Sequence, residues 1–167
     1  MSRLRFEMIG AALHIKDDTS DKDNNLVKFV PFMNKLSAKF REYYNLEKNI
    51  TIDESMIHFK GRSDYTFYIS MKPIKYGFKL HVLTESSTGY CYNYLLDLDN
   101  LSKYLKVIKS EKNNGNKYIE FTVLSLMSYL PFKGYNLFMD FWYNSISLAK
   151  KLLDQGITLT SPVKKIQ

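Results

Sequence analysis

The chain has 167 residues, 45% hydrophobic and 25% charged, which suits one folded domain and excludes disordered and collagen-like classes. Its 24 basic and 17 acidic residues give a net charge of +7, and no apolar run approaches the roughly 18 residues of a membrane span, so no membrane partner is expected. The single cysteine, Cys91, excludes an internal disulfide and indicates a reducing compartment, the nucleus or the cytoplasm.

The first part of the chain has helical patterns. Ser2 can cap a helix over about 3–13, and Pro31 suits the first turn of a second helix that ends near Tyr44. A polar, turn-rich run at 17–25 favours a surface loop between them. We therefore expect a helical segment over residues 1–48.

After residue 48 the pattern changes to that of strands. Ile50 and Ile52 alternate with polar neighbours, which is typical of a strand with one buried face. Gly89 ends a polar run that suits a hairpin turn. The expected elements are strands over 50–59, 78–84 and 90–96, a short helix within 98–117, a helix over 118–130, a strand over 136–139, a helix over 145–154 and a strand over 157–160.

This order of elements predicts an α/β fold. Three consecutive strands followed by alternating helices and strands indicate an antiparallel meander joined to parallel βα units. The order is that of an RNase H-like, retroviral-integrase-like core, here an incomplete mixed sheet over 49–167 preceded by two helices. In such a sheet the first and fourth strands lie side by side.

Two aspartates occupy strand ends in this scheme: Asp53 in the first strand and Asp140 after the fourth. On neighbouring strands, their carboxylates would come within reach of one Mg²⁺, which prefers oxygen ligands. Capping of the following helix is the alternative for Asp140. Glu54 is a weaker candidate, because alternation places it on the other face. His58 and His81 are metal-ligand candidates, although a lone histidine is more often a packing residue.

Basic and aromatic residues suggest a nucleic-acid partner less specifically. Five basic residues face the lone Asp64 between positions 60 and 79, and such clusters attract phosphates, although a solvated lysine surface is the plainer interpretation. The five are Lys60, Arg62, Lys72, Lys75 and Lys79. Aromatic residues make up 15% of the chain and could stack on bases, but we expect Phe138, Phe141 and Trp142 to fill the core.

Three blocks of the sequence resemble the piggyBac transposase family. Residues 52–62 (IDESMIHFKGR) resemble the block around the family's first catalytic aspartate, 72–80 resemble its Lys-Pro-x-Lys-x-Gly-x-Lys stretch, and 139–149 (MDFWYNSISLA) resemble the block around its second aspartate. The resemblance covers nearly the whole chain. It implies a catalytic core with three aspartates and Mg²⁺ or Mn²⁺, with Asp53 and Asp140 matching the first two. It also makes the five clustered basic residues candidates for contact with the DNA backbone.

The resemblance further implies nicking at transposon ends and strand transfer into TTAA targets. The family's third aspartate lies beyond the last predicted strand, and this chain stops at Gln167. We therefore expect a truncated transposase-derived protein that is inactive alone, is nuclear (or cytoplasmic), and binds DNA, a second copy of itself or a full-length transposase. Two alternatives stay open: a non-catalytic DNA-binding or transposase-interacting protein, and a gene remnant that does not fold.

Overall fold

A computed structural model of the chain describes residues 1–12, 30–63, 65–97, 115–131 and 133–163. The chain divides into two compact units, Met1–Lys39 and Phe40–Gln167. No helix within the described ranges combines the length and apolarity that a bilayer crossing requires.

The described helices and strands follow the predicted order, with two additions that the sequence patterns missed: a two-residue strand and a one-turn 3₁₀ helix. The predicted loop over 17–25 and most of the short helix within 98–117 lie outside the described residues. The elements are α1 (Arg3–Ala12), α2 (Val30–Tyr43), β1 (Asn49–His58), β2 (Phe67–Tyr68), β3 (Tyr76–Glu85), β4 (Cys91–Leu96), α3 (Gly115–Met127), β5 (Asn136–Met139), the 3₁₀ helix (Phe141–Tyr143), α4 (Ile146–Asp154) and β6 (Thr158–Thr160).

Helix ends follow local hydrogen bonding. Ser2 caps α1, since its hydroxyl accepts a hydrogen bond from the Arg5 amide at 3.3 Å. Helix α3 ends at Met127, three residues before the predicted end at 130. The Leu130 amide donates to the Met127 carbonyl at 3.0 Å, which closes a tight turn there instead of continuing the helix.

The six strands form one mixed sheet in the order β2-β3-β1-β5-β6, with β4 also paired to β3. Strand β3 pairs antiparallel with β1, β2 and β4, whereas β1, β5 and β6 run parallel to one another. This is the predicted meander joined to parallel units. The fourth predicted strand, here β5, lies directly beside β1.

One hydrophobic core packs the sheet against α3 and α4. Ile50 and Ile52 of β1 are fully buried, as is Leu137 of β5. The helices contribute residues to the same cluster at helical spacing, as expected for amphipathic helices on a sheet. These helix residues are Val123, Leu126 and Met127 from α3, and Leu148 and Leu152 from α4.

A buried carboxylate joins the chain that follows α2 to the β3–β4 hairpin. Glu85, at the end of β3, is 1% exposed and accepts hydrogen bonds from the Tyr44 hydroxyl at 2.5 Å, the Glu47 amide at 2.8 Å and the Thr88 hydroxyl at 2.7 Å. These hydrogen bonds, led by the one from Tyr44, lower the pKa of Glu85 to about 2. The residue is thus a fully satisfied structural anion.

Candidate functional site

Asp53 and Asp140 lie at the same level on neighbouring parallel strands. The β1–β5 ladder ends at the pair Ile52 and Met139, and each aspartate is the next residue of its chain. Ile52 and Met139 are both buried, and Asp140 keeps an extended backbone with φ −70° and ψ 159°. Alternation along extended chains therefore directs both aspartates to the face opposite the core.

Both aspartates line one open cleft of about 480 Å³. The cleft lies at the carboxyl ends of β5 and β6, beside the middle of β1, where the parallel part of the sheet ends; the carboxyl ends of parallel strands are where open α/β sheets usually bind ligands. The other lining residues are Thr51, Ile52, Phe138, Met139, Thr160, Ser161 and Pro162. The structure thus brings together the two carboxylates that the sequence singled out.

Each of the two carboxylates is held by the backbone amide that follows it. Asp53 Oδ1 accepts from the Glu54 amide at 2.7 Å, and Asp140 Oδ1 accepts from the Phe141 amide at 2.6 Å. The side chains of Asp53 and Glu54 also interact, and among the described residues no other N–H or O–H group donates to either aspartate side chain. Partial burial raises the pKa of Asp53, and the hydrogen bond from the Glu54 amide opposes that change in part.

The capping alternative for Asp140 also holds. Its side chain caps the 3₁₀ helix through the hydrogen bond to Phe141. Because a carboxylate has two oxygens and the cap uses one, capping and ligand binding are compatible at this residue.

Glu54 does not line the cleft, although its carboxylate interacts with that of Asp53. Its carboxylate lies 3.6 Å from the Lys72 ammonium, and its Oε2 lies 3.4 Å from the Tyr143 hydroxyl oxygen. Burial acts to raise the pKa of Glu54, but its contacts with Asp53, Lys72 and Lys79 outweigh burial and lower that pKa. Glu54 is therefore an ion-paired residue behind the site.

The five clustered basic residues divide into two groups. Lys60, Arg62 and Lys75 are exposed, and none of the three forms an ion pair with a described residue. In contrast, the Lys72 ammonium faces Glu54, and the Lys79 ammonium lies 3.0 Å from the Asp97 carboxylate with its side chain 14% exposed. The first group is the one available to an external anion.

The expected burial of Phe138, Phe141 and Trp142 is wrong. Their exposed fractions are 37%, 47% and 45%. Phe138 lies between two buried residues of β5, so the pleat turns it to the other face. In the 3₁₀ helix only Tyr143 is buried, so its aromatic neighbours Phe141 and Trp142 stay partly exposed, with the Trp142 ring 4.9 Å from the Lys79 ammonium.

A buried polar cluster behind the site was missed by the sequence patterns. His81 Nδ1 lies 2.7 Å from the Tyr143 hydroxyl, and His81 Nε2 lies 3.2 Å from Asp97 Oδ2, within ion-pair distance although outside good hydrogen-bond geometry. Contacts with His81 and Lys79 outweigh the effect of burial and lower the pKa of Asp97 to about 2. The available signal was the occurrence of Lys79 and His81 within β3 and of Asp97 directly after β4, since buried charges are normally paired. His58, the other histidine candidate, is exposed at the end of β1.

Comparisons with known proteins agree with this geometry. A family model described as "Transposase IS4" matches residues 1–167. The human PiggyBac transposable element-derived protein 3 is 24% identical over 166 residues, which cover 99% of this chain and 27% of that protein. The human Chimeric ERCC6-PGBD3 protein is also 24% identical over 166 residues, with 15% of its length covered.

A solved structure shows the same fold. This is the piggyBac transposase in the cryo-EM structure of its synaptic complex with hairpin DNA, which aligns with a TM-score of 0.80 and 26% identity over all of this chain and 34% of the transposase chain. This chain belongs to the piggyBac-type transposase family. It spans about a quarter of the first human relative and about a third of the solved transposase chain.

Family membership confirms two of the sequence predictions, the resemblance to piggyBac transposases and the RNase H-like mixed sheet. The resemblance implied an acidic site at Asp53 and Asp140, and both residues line the cleft. The roles of its residues remain predictions.

The donor set of the cleft fits a hard divalent cation. Transposases of this class typically use divalent metals, and two carboxylates with open oxygens are the ligands that Mg²⁺ and Mn²⁺ prefer. Within the described ranges, no group of three or more His, Cys, Asp or Glu side chains is placed to hold a metal. The cleft therefore offers two protein ligands.

Proposed function

We propose that Asp53 and Asp140 form the metal-binding part of a piggyBac-type DNA transposition site, and that these 167 residues alone do not cleave DNA. The observation that carries the proposal is the placement of both carboxylates on one face, at one level of adjacent parallel strands, in one cleft. The family and the fold support it.

Backbone amides of the chain prepare this site by holding both aspartates. The amides of Glu54 and Phe141 fix one oxygen of each aspartate, so that the second oxygens stay available to a cation. Mg²⁺ or Mn²⁺ bound between them would stabilise negative charge on a phosphate that undergoes hydrolysis or strand transfer. Burial raises the pKa of Asp53, and the neighbouring Lys72 ammonium lowers it only in part.

The incompleteness of the site is also part of the proposal. The family resemblance calls for three aspartates, whereas no third carboxylate of the described residues joins Asp53 and Asp140. With two protein ligands, we expect weak cation binding and poor stabilisation of the transition state, a loss of orders of magnitude in rate. Activity would require a further carboxylate from outside these residues.

Metal binding is the direct test. Titration of the protein with Mn²⁺, followed by the EPR signal of the free ion, is expected to show binding that weakens strongly in Asp53→Asn and Asp140→Asn. Asp154→Asn is the control, since Asp154 is exposed at the end of α4, outside the cleft. Absence of binding by the wild type, or equal binding by the double variant Asp53→Asn/Asp140→Asn, would refute the metal site.

A nicking assay tests the inactivity. Transposon-end DNA incubated with the protein and Mg²⁺ or Mn²⁺ is expected to remain intact. Robust cleavage that Asp53→Ala abolishes would show that the chain is a complete enzyme. A cooperative thermal transition by circular dichroism must come first, because its absence would favour the gene-remnant alternative.

A second candidate function, DNA binding without catalysis, is favoured by the exposure of Lys60, Arg62 and Lys75. In this role the protein would bind transposon ends or TTAA targets, as a homodimer or with a full-length transposase, in the nucleus. Localisation of a fluorescently tagged chain tests the last point, and co-purification at defined stoichiometry tests the protein partners.

Salt dependence separates this function from the catalytic one. We expect DNA affinity to fall as salt rises, and to persist when both cleft aspartates are changed to alanine. Reversal of Lys60, Arg62 and Lys75 to glutamate should weaken binding and reduce the salt slope by about one for each phosphate that the protein no longer neutralises. Lys133→Glu, an exposed lysine outside this cluster, is the control. Affinity that is indifferent to salt and to the triple reversal would refute DNA binding by this surface.

A further inference from the structure

The strand ladder does not hold Asp140 in place. The β1–β5 pairing ends at Ile52 and Met139, one residue before either aspartate. Asp140 begins the 3₁₀ helix and is bonded to its last residue, since the Tyr143 amide donates to the Asp140 carbonyl at 3.1 Å. Whatever fixes Tyr143 therefore also fixes the backbone of Asp140.

The side chain of Tyr143 is held by residues of β1 and β3. Its ring is 1% exposed, and its hydroxyl lies 2.7 Å from His81 Nδ1 on β3, with the two rings edge to face at 5.6 Å and 89°. His81 is the register partner of Glu54 in the β1–β3 ladder, and the Tyr143 hydroxyl also reaches Glu54 Oε2 at 3.4 Å. The 3₁₀ helix is thus attached to the strand that carries Asp53.

The imidazole of His81 is in turn oriented by the carboxylate of Asp97. Asp97 Oδ2 lies 3.2 Å from His81 Nε2 and 3.0 Å from the Lys79 ammonium, and Asp97 Oδ1 accepts from the Tyr118 hydroxyl at 3.0 Å. An ionised carboxylate beside Nε2 favours the tautomer with its proton on Nε2. Nδ1 is then free to accept the proton of the Tyr143 hydroxyl.

We propose that the buried Tyr143–His81–Asp97 chain positions Asp140 against Asp53, so that Tyr143 and His81 set the cation affinity of the cleft without contacting the cation. The inference rests on the proposed metal site. Groups that orient metal ligands from behind typically change metal affinity by 10- to 100-fold when removed.

The test is Tyr143→Phe, which keeps the ring and removes only the hydroxyl. We expect Mn²⁺ affinity, measured by EPR, to fall about 10-fold, and the residue-143 amide to exchange faster in hydrogen-exchange NMR. Tyr92→Phe is the matched control, because the Tyr92 hydroxyl is a buried donor to the Tyr129 carbonyl at 3.1 Å and is not part of the cleft. It should lose stability without a change in Mn²⁺ affinity.

A double-mutant cycle that combines Tyr143→Phe with His81→Leu tests whether the two residues act through their shared hydrogen bond. Because both substitutions break one hydrogen bond, the double variant is expected to lose about as much affinity as Tyr143→Phe alone. Unchanged Mn²⁺ affinity in Tyr143→Phe, or an equal loss of Mn²⁺ affinity in Tyr92→Phe, would overturn the positioning role of Tyr143. The proposed metal site would still stand in that case if Mn²⁺ binding depends on Asp53 and Asp140. Wild-type protein with no aspartate-dependent binding would overturn both. If His81→Leu fails to fold, Tyr143→Phe and its control decide the question.

Discussion

The sheet carries two kinds of carboxylate, one at the ends of the antiparallel strands β3 and β4 and the other at the parallel strands β1 and β5. On the antiparallel side, Asp97 and Glu85 are buried, and donors or cations occupy both oxygens of each. On the parallel side, Asp53 and Asp140 are exposed, and each has one oxygen bonded to the next amide. The pKa of Asp97 and of Glu85 is lowered, whereas that of Asp53 is raised.

This difference separates structural from functional acids by physical criteria. A buried carboxylate with a full set of partners contributes to stability and has no coordination capacity left for a ligand. A carboxylate in a cleft with an open oxygen contributes little to stability but can bind a cation. The two groups should therefore respond in opposite ways to substitution.

The largest expected effect is that of Asp97→Ala. It would leave Lys79 and His81 buried without their common anion, and breaking a buried ion pair costs about 3–5 kcal/mol in the free energy of unfolding. Urea denaturation measures the loss. Asp154→Ala, at an exposed acid, should change stability by less than about 0.5 kcal/mol. Equal effects of the two substitutions would contradict the structural role of Asp97.

The free energy of unfolding should also depend on pH, with a smaller effect than that of Asp97→Ala. The pKa of Asp97 falls from 3.8 to about 2 on folding, so its ionised form contributes about 2 kcal/mol that is fully present above pH 4 and is lost as the pH falls toward 2. Glu85 acts in the same direction, and Asp53, with its raised pKa, acts in the opposite one. Denaturation from pH 7 to pH 3 should show falling stability, with a shallower slope in Asp97→Asn. The same slope in that variant would refute the assignment.

Tyr118→Phe should have a smaller effect. It removes the donor to Asp97 Oδ1 while Lys79 continues to face the other oxygen. A hydrogen bond to a charged group contributes about 1.5–3 kcal/mol, and we expect a loss near the lower limit by urea denaturation. A loss as large as that of Asp97→Ala would mean that the hydroxyl, and not the ion pair, stabilises this end of the sheet.

Asp53→Asn is expected to have the smallest effect on stability. Since the folded state already disfavours the charged form of Asp53, the neutral amide should leave the free energy of unfolding within about 0.5 kcal/mol of the wild type. The same variant should lose Mn²⁺ binding. A destabilisation of several kcal/mol would show that Asp53 is a structural acid like Asp97, and would contradict the distinction between the two kinds of carboxylate.

Much of the fold was predictable because the relevant patterns are local. The alternation that begins at Ile50 gave the first strand, and the order of elements gave the adjacency of β1 and β5, which in turn brought Asp53 and Asp140 together. Strand β2 was not predictable, because two residues contain no period. The 3₁₀ helix was missed because three consecutive aromatic residues, Phe141, Trp142 and Tyr143, show no periodicity. Only Tyr143 of the three is buried.

The support behind the site could not be predicted, for a different reason. The contact of His81 with Tyr143 joins residues 62 positions apart, and it depends on the register of two ladders and on the direction of a single helical turn. A histidine on its own carries no information about its partner. The division of the basic residues into exposed and ion-paired ones likewise depends on which of them lies next to a buried acid, as Lys79 lies next to Asp97.

The pairing of Ile52 with Met139 makes the site sensitive to chain length. Loss or gain of one residue within β5 would reverse every side chain that follows, turning the Asp140 carboxylate toward the hydrophobic core and Met139 toward water. Point substitutions in this strand would spare that arrangement, whereas indels would not. Among chains of this type, the spacing between Leu137 and Asp140 should therefore be more strictly preserved than the identity of the exposed Phe138 between them.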